Sequence, residues 1–137
     1  MILGLGTDLV NIKRIEKLVE KFGENFYKKV LTEKELERLS EIKNINEVKN
    51  KTVFCAKRFC AKEAFAKALG IGLGRGINFA DVSVVNDIMG KPIIELSDKG
   101  EDFICKLFKK KQCGEIKIDV SISDDYPFTN AVVIVSE

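Results

Sequence analysis

Hydrophobic and polar positions follow two rhythms along this chain. Residues 1–7, MILGLGT, are apolar and broken only by glycine, which predicts a buried strand ending near Asp8. Ile12, Ile15, Leu18, Val19 and Phe22 then recur at helical spacing, with Asn11 as N-cap and Gly23 as stop. A short helical piece follows around residues 26–30. Thr32 and Glu35 form a capping-box pattern that opens another helix through about Ile42. Residues 43–51 are polar and asparagine-rich, and are expected as a loop or helix-edge linker. The longest helical pattern runs from about Val53 to Leu69. Strands are predicted in residues 77–87 and 93–96, joined by the turn NDIMGKP, and in 115–123 and 130–137, separated by DDYPFT. Between the two strand pairs Ser97 caps a helix in which Gly100 is an early weak point. The order strand, helices, two strands, helix, two strands predicts an α+β fold: helices, one of them long and central, packed on a mainly antiparallel sheet.

Composition narrows the function classes. A length of 137 residues, 45% of them hydrophobic, fits one domain spanning 1–137 with a substantial core. The net charge of +2, with 32% charged residues, gives no global case for nucleic acid or membrane binding. No apolar run approaches the roughly 18 residues of a membrane span. MILGLGTDLV has no basic leader region, so no targeting segment and a cytoplasmic location are expected. The four cysteines form no C-x-x-C pair and the chain has no histidine, which argues against a zinc site. All four thiols are expected reduced and at least partly buried. Without histidine, Ser-His and Cys-His mechanisms are excluded. Carboxylates, lysines and a metal remain.

The candidate chemistry centres on FCAKRFCAKEAFAKALGIGLGRG, residues 54–76. On a helix, Ala56, Cys60, Glu63 and Lys67 share one narrow stripe, while Lys57, Arg58 and Lys62 lie on another face among Phe54, Ala61 and Phe65. Glu63 and Lys67 read either as an ordinary i,i+4 ion pair or as a carboxylate and an amine aimed into one partly desolvated site. Gly70, Gly72, Gly74 and Gly76 alternate, so the backbone can turn to positive φ and offer amides to an anion; Arg75 lies among them. A plain flexible connection would look the same. The run is neither G-x-G-x-x-G nor a Walker loop. Asp8 reads as a helix cap or as a metal-ligating carboxylate. Mg²⁺ is usually held by one or two carboxylates plus substrate phosphates, and Asp8 and Glu63 would supply two if the first strand lies beside the long helix. Lys13 and Arg14 make a small basic spot opposite Ile12 and Ile15. Lys109–Gln112 reads as a solvated cationic helix end.

Together these stretches resemble the short, single-domain holo-(acyl carrier protein) synthase family of 4′-phosphopantetheinyl transferases. GLGTDLVNIKRIEK at residues 4–17 is similar to the family's opening motif. The run from residue 54 to 87 is similar to its central signature, with the K-E-A core and glycine loop. GKPIIEL and VSISDDYPFTNAVVIV are similar to its later motifs. The resemblance implies transfer of the phosphopantetheine arm of coenzyme A to a serine of apo-acyl carrier protein, leaving adenosine 3′,5′-bisphosphate. It implies that Asp8 and Glu63 bind Mg²⁺ and that Lys67 serves the leaving group. Lys62, Gly70, Gly72, Gly74 and Arg75 would hold coenzyme A, and Arg14 would meet the carrier protein's acidic helix. The attacking serine needs a proton acceptor, for which a carboxylate (Asp8 or Glu63) or a metal-bound water is expected. The family commonly assembles as a homotrimer with active sites between subunits. One departure stands out: Asp124, followed by Asp125, occupies a place where many members carry a histidine that contacts coenzyme A. An anion there would repel a phosphate, which leaves a hydroxyl, an amide or the metal's water shell for Asp124 to meet. Its loss would also suit a coenzyme A binder without transfer.

Overall fold

The computed structural model describes residues 1–137. Strand β1 (Ile2–Asn11) leads into helices α1 (Ile12–Phe22), α2 (Glu24–Val30), α3 (Glu33–Ser40) and α4 (Glu47–Ala68). A hairpin of β2 (Val82–Asn86) and β3 (Pro92–Leu96) follows, then helix α5 (Asp98–Leu107) and the hairpin β4 (Lys117–Asp125) and β5 (Phe128–Ser136). All strand pairs are antiparallel. They form two sheets, β1-β5-β4 and β2-β3, so the expected α+β architecture is present with its strands divided. Helix α4 lies across the inner face of the larger sheet, packed on β1 and β5.

The predicted caps form. Asn11 accepts from the Lys13 amide, Ser97 from the Gly100 amide, and Thr32 and Glu35 close a reciprocal capping box. Three boundaries and the role of one glycine differ from the sequence reading. The strand predicted from residue 77 begins only at Val82, because Phe79–Asp81 form a 3-10 turn closed by Asn78 and Asp81. Strand β1 continues past Asp8 to Asn11, because Leu9, Val10 and Asn11 stay in register with Asn130, Thr129 and Phe128. Helix α4 starts at Glu47, inside the stretch expected as a linker. Asn44 Oδ1 accepts from the Asn46 amide and from Asn50 Nδ2, and Lys51 pairs with Glu47 at 2.6 Å. That run is polar because it faces solvent as the first turns of a helix. Gly100 is buried, and a Cβ there would lie 3.2 Å from the Asp81 carbonyl, so it serves close packing rather than weakening α5.

Glycine also explains how β1 and α4 touch. A Cβ on Gly6 would sit 2.0 Å from the Ala64 carbonyl oxygen and 2.4 Å from the Ala68 amide nitrogen; one on Gly4 would sit 1.9 Å from the Ala68 oxygen. The obstacles are helix backbone, which cannot rotate away. Small residues on α4 meet the missing side chains of β1, and the two elements lie flush. Gly6→Ala should therefore destabilise by at least the ~1–3 kcal/mol usual for overpacking, read as a lower urea midpoint. An unchanged midpoint would show that the strand can lift from the helix at no cost.

The expectation of four reduced thiols is corrected. Cys105 and Cys113 are joined in a disulfide between the end of α5 and the segment before β4. Eight residues apart in sequence, their Cα atoms are 5.4 Å apart, within bridging reach. Cys55 and Cys60 are free and fully buried, and burial pushes each thiol up to about 12. Both should be inert to a thiol reagent at neutral pH in the folded protein. Denaturation should release these two alone, and reduction the remaining pair; rapid labelling of the native protein would contradict this burial.

Candidate active site

The flush contact of β1 with α4 decides where Asp8 points. In register with Ala131, Asp8 shares the inner face with Gly4, Gly6 and Val10, and so faces α4. Its carboxylate accepts a hydrogen bond from Lys67 Nζ at 2.9 Å. Cys60 and Asn130 both donate to the Asp8 main-chain oxygen, at 3.3 and 2.9 Å. One turn N-terminal to Lys67 on α4, Glu63 is half-buried. Its carboxyl is held above the usual range, first by burial and then by the negative charge of Asp8; Lys67 and Arg14 pull the other way. Lys67 is mostly exposed, and its ammonium is held above its ordinary value by the bond to Asp8 and by that charge. Two acids and two bases from β1, α1 and α4 therefore share one electrostatic site.

Beside Glu63 opens an apolar cleft of about 460 Å³, walled by Leu18, Phe22, Phe26, Phe59 and Phe79. Arg14 is exposed at its edge, with its guanidinium 6.0 Å from the Phe59 ring centroid. Sequence reasoning missed this cleft. Its aromatic walls come from separate elements, and each phenylalanine alone reads as core.

The glycine loop follows the C-terminus of α4. Gly70 and Gly74 take φ of +73° and +89° with open space around them, so their glycine identity answers to backbone conformation rather than packing. Arg75 is exposed and makes no ion pair. Lys62 does not join the site, and the expectation that it holds coenzyme A is corrected by its burial. It is wholly inaccessible, and its Nζ donates to Glu35 Oε1 at 2.5 Å, to the Val30 carbonyl at 2.6 Å and to the Phe79 carbonyl at 3.3 Å. All three ammonium hydrogens are used inside the protein. The Asp124 carboxylate lies 3.3 Å from Lys57 Nζ on α4.

The donor set suits a hard divalent cation. Asp8 and Glu63 repel each other when both are ionised, and Lys67 and Arg14 offset this only in part. Mg²⁺ is usually held by one or two carboxylates, with waters and substrate phosphates as its other oxygens, and Asp8 and Glu63 are carboxylates of that kind.

Comparison with known proteins gives the family of the chain. The model of the 4′-phosphopantetheinyl transferase superfamily matches residues 4–130. Over 135 residues the chain is 43% identical to the holo-[acyl-carrier-protein] synthase of Bartonella tribocorum, covering 98% of this chain and 96% of that protein. Its fold matches the crystal structure of holo-[acyl-carrier-protein] synthase from Neisseria meningitidis with a TM-score of 0.86 at 32% identity, over the full length of both chains. The synthase from Bacillus anthracis, solved in complex with CoA (3′,5′-ADP), matches at 0.77 and 35% identity, over 100% of this chain and 99% of that one. The chain belongs to the 4′-phosphopantetheinyl transferase superfamily, among its holo-[acyl-carrier-protein] synthases.

Proposed function

We propose that this enzyme transfers the 4′-phosphopantetheine arm of coenzyme A to a serine of apo-acyl carrier protein, with Mg²⁺, in the service of fatty acid biosynthesis. The observation that carries the reading is the meeting of Asp8 on β1 with Lys67 and Glu63 on α4, which are more than 50 residues away in sequence. The whole chain, 1–137, acts as one transferase domain, working in the cytoplasm.

The serine oxygen bonds to the phosphorus that carries the pantetheine arm. The pyrophosphate P–O bond breaks and adenosine 3′,5′-bisphosphate leaves. Such a displacement needs positioning and charge stabilisation more than covalent help. Asp8 and Glu63 hold Mg²⁺, which when bound supplies positive charge at the pyrophosphate. Lys67, exposed beside them, places its ammonium where charge builds on the leaving oxygen. The serine proton passes to a carboxylate of this pair. Asp8 and Glu63 are the two carboxylates of the site that supply an acceptor. Gly70, Gly72, Gly74 and Arg75 hold coenzyme A. Lys57 lies 3.3 Å from the Asp124 carboxylate and offsets part of the repulsion that would favour a binder without transfer. Release of one adenosine 3′,5′-bisphosphate per coenzyme A consumed tests the reaction; coenzyme A that binds and is recovered intact would refute it.

Arg14 meets the acidic helix of the carrier protein. Arg14→Glu should lower kcat/KM for the carrier by about 10-fold through like-charge repulsion, while calorimetric coenzyme A affinity changes far less. Equal losses would move Arg14 into the coenzyme site.

The protein assembles as a homotrimer with active sites between subunits. Support comes from the outer face of the larger sheet, where Leu5 and Leu9 are 65% exposed beside Val132 and Ile134. Sedimentation at the mass of one chain would contradict this.

A further inference from the structure

Asp8 is held by more than its pairing partner on α4. Its main-chain oxygen accepts from two side chains on different elements: Asn130 Nδ2 of β5 at 2.9 Å and the Cys60 thiol of α4 at 3.3 Å. Neither is idle elsewhere. Asn130 Nδ2 also lies 3.3 Å from Thr7 Oγ1, so it grips two consecutive residues of β1. Cys60 is fully buried and lies 3.6 Å from the Thr129 carbonyl, so one thiol reaches β1 and β5 at the level of Asp8. Helix, central strand and edge strand are thus tied together at one peptide, the peptide that carries the carboxylate.

We propose that Cys60 and Asn130 are positioning residues, which fix the Asp8 main chain so that its carboxylate stays opposite Glu63 and Lys67. The physical need is clear from the site. Asp8 stands beside a like charge on Glu63, and without restraint repulsion would turn it away. Gly4 and Gly6 leave the part of β1 just before Asp8 without side chains keyed to α4, and the two hydrogen bonds to the Asp8 main chain add restraint at that point. Groups that hydrogen-bond to a ligand and orient it typically contribute about 10–100-fold to metal affinity.

This inference rests on Asp8 being a metal ligand, and the test separates the two. Mg²⁺ is titrated calorimetrically into coenzyme A-bound protein for Asn130→Ala, Cys60→Ala, Cys60→Ser and Asp8→Asn, with melting temperature and metal-free coenzyme A affinity measured alongside. Asn130→Ala and Cys60→Ala should each weaken Mg²⁺ binding about 10-fold, with metal-free coenzyme A affinity unchanged. Cys60→Ser, which keeps a donor of similar size, should restore it. Unaltered Mg²⁺ affinity in both alanine variants would overturn the proposal, as would equal losses in Mg²⁺ and coenzyme A affinity, or a serine variant as weak as the alanine one. Should Cys60→Ala fail to fold, Asn130→Ala decides alone. If Asp8→Asn also leaves Mg²⁺ binding intact, the ligand assignment has failed. If it abolishes binding while Asn130→Ala does not affect it, only the positioning role has failed.

Discussion

Glu63→Gln is expected to lower kcat by about 10²–10³-fold, the scale of losing one pre-organised electrostatic group at a reacting centre. The substitution keeps size and shape and removes charge and basicity alone. It should not unfold the protein. A group whose pKa is raised in the folded state favours folding below its unfolded pKa and loses that contribution as pH rises through the folded value. Burial and Asp8 raise Glu63, so at neutral pH the ionised carboxylate is a cost to the fold. The glutamine variant should be at least as stable as the parent at pH 7, and the difference should vanish below about pH 4, where the parent is also neutral. Lost stability together with lost turnover would make Glu63 structural. Full turnover in a folded variant would remove it from the mechanism.

Lys62→Met is expected to cost about 3–5 kcal/mol of stability, the usual result of breaking a buried ion pair from one side. The change strands the Glu35 carboxylate, which is 1% exposed and keeps only the Thr32 and Val84 amides as donors. Glu35 is thereby the node joining α3, α4 and β2. Burial lowers the Lys62 ammonium despite its partner, so the pair is costly to bury and costlier to break. Glu35→Gln introduced on top of Lys62→Met should recover much of the loss, because no charge then remains unpaired. Urea unfolding of the parent, single and double variants measures this. A Lys62→Met protein of normal stability with weakened coenzyme A binding would return Lys62 to the site.

These two residues mark what the sequence could disclose. Glu63, Lys67 and Asp8 were legible because helical periodicity put the first two on one stripe, and a strand directly before a helix brought in the third. The caps at Asn11, Thr32 and Ser97 were legible because they are local chemistry. Lys62 was not, since its partner Glu35 lies 27 residues away and reads fully as a capping-box residue; that it does both jobs is tertiary information. The roles of Gly4 and Gly6 were hidden for the same reason. A glycine in a strand announces a close approach only once the approaching backbone is known. The start of α4 was missed because a solvent-facing first turn has the composition of a loop. The Cys105–Cys113 bond was missed because spacing alone does not fix pairing.

The proposed phosphopantetheine transfer assigns its chemistry to Asp8, Glu63 and Lys67 together with Mg²⁺. The most direct measurement is the intact mass of an apo-acyl carrier protein after incubation with this enzyme, coenzyme A and Mg²⁺. A gain of one phosphopantetheine arm is expected, abolished by EDTA and slowed about 10²–10³-fold by Glu63→Gln. An unchanged mass with well-folded enzyme, or a gain indifferent to EDTA, would contradict it.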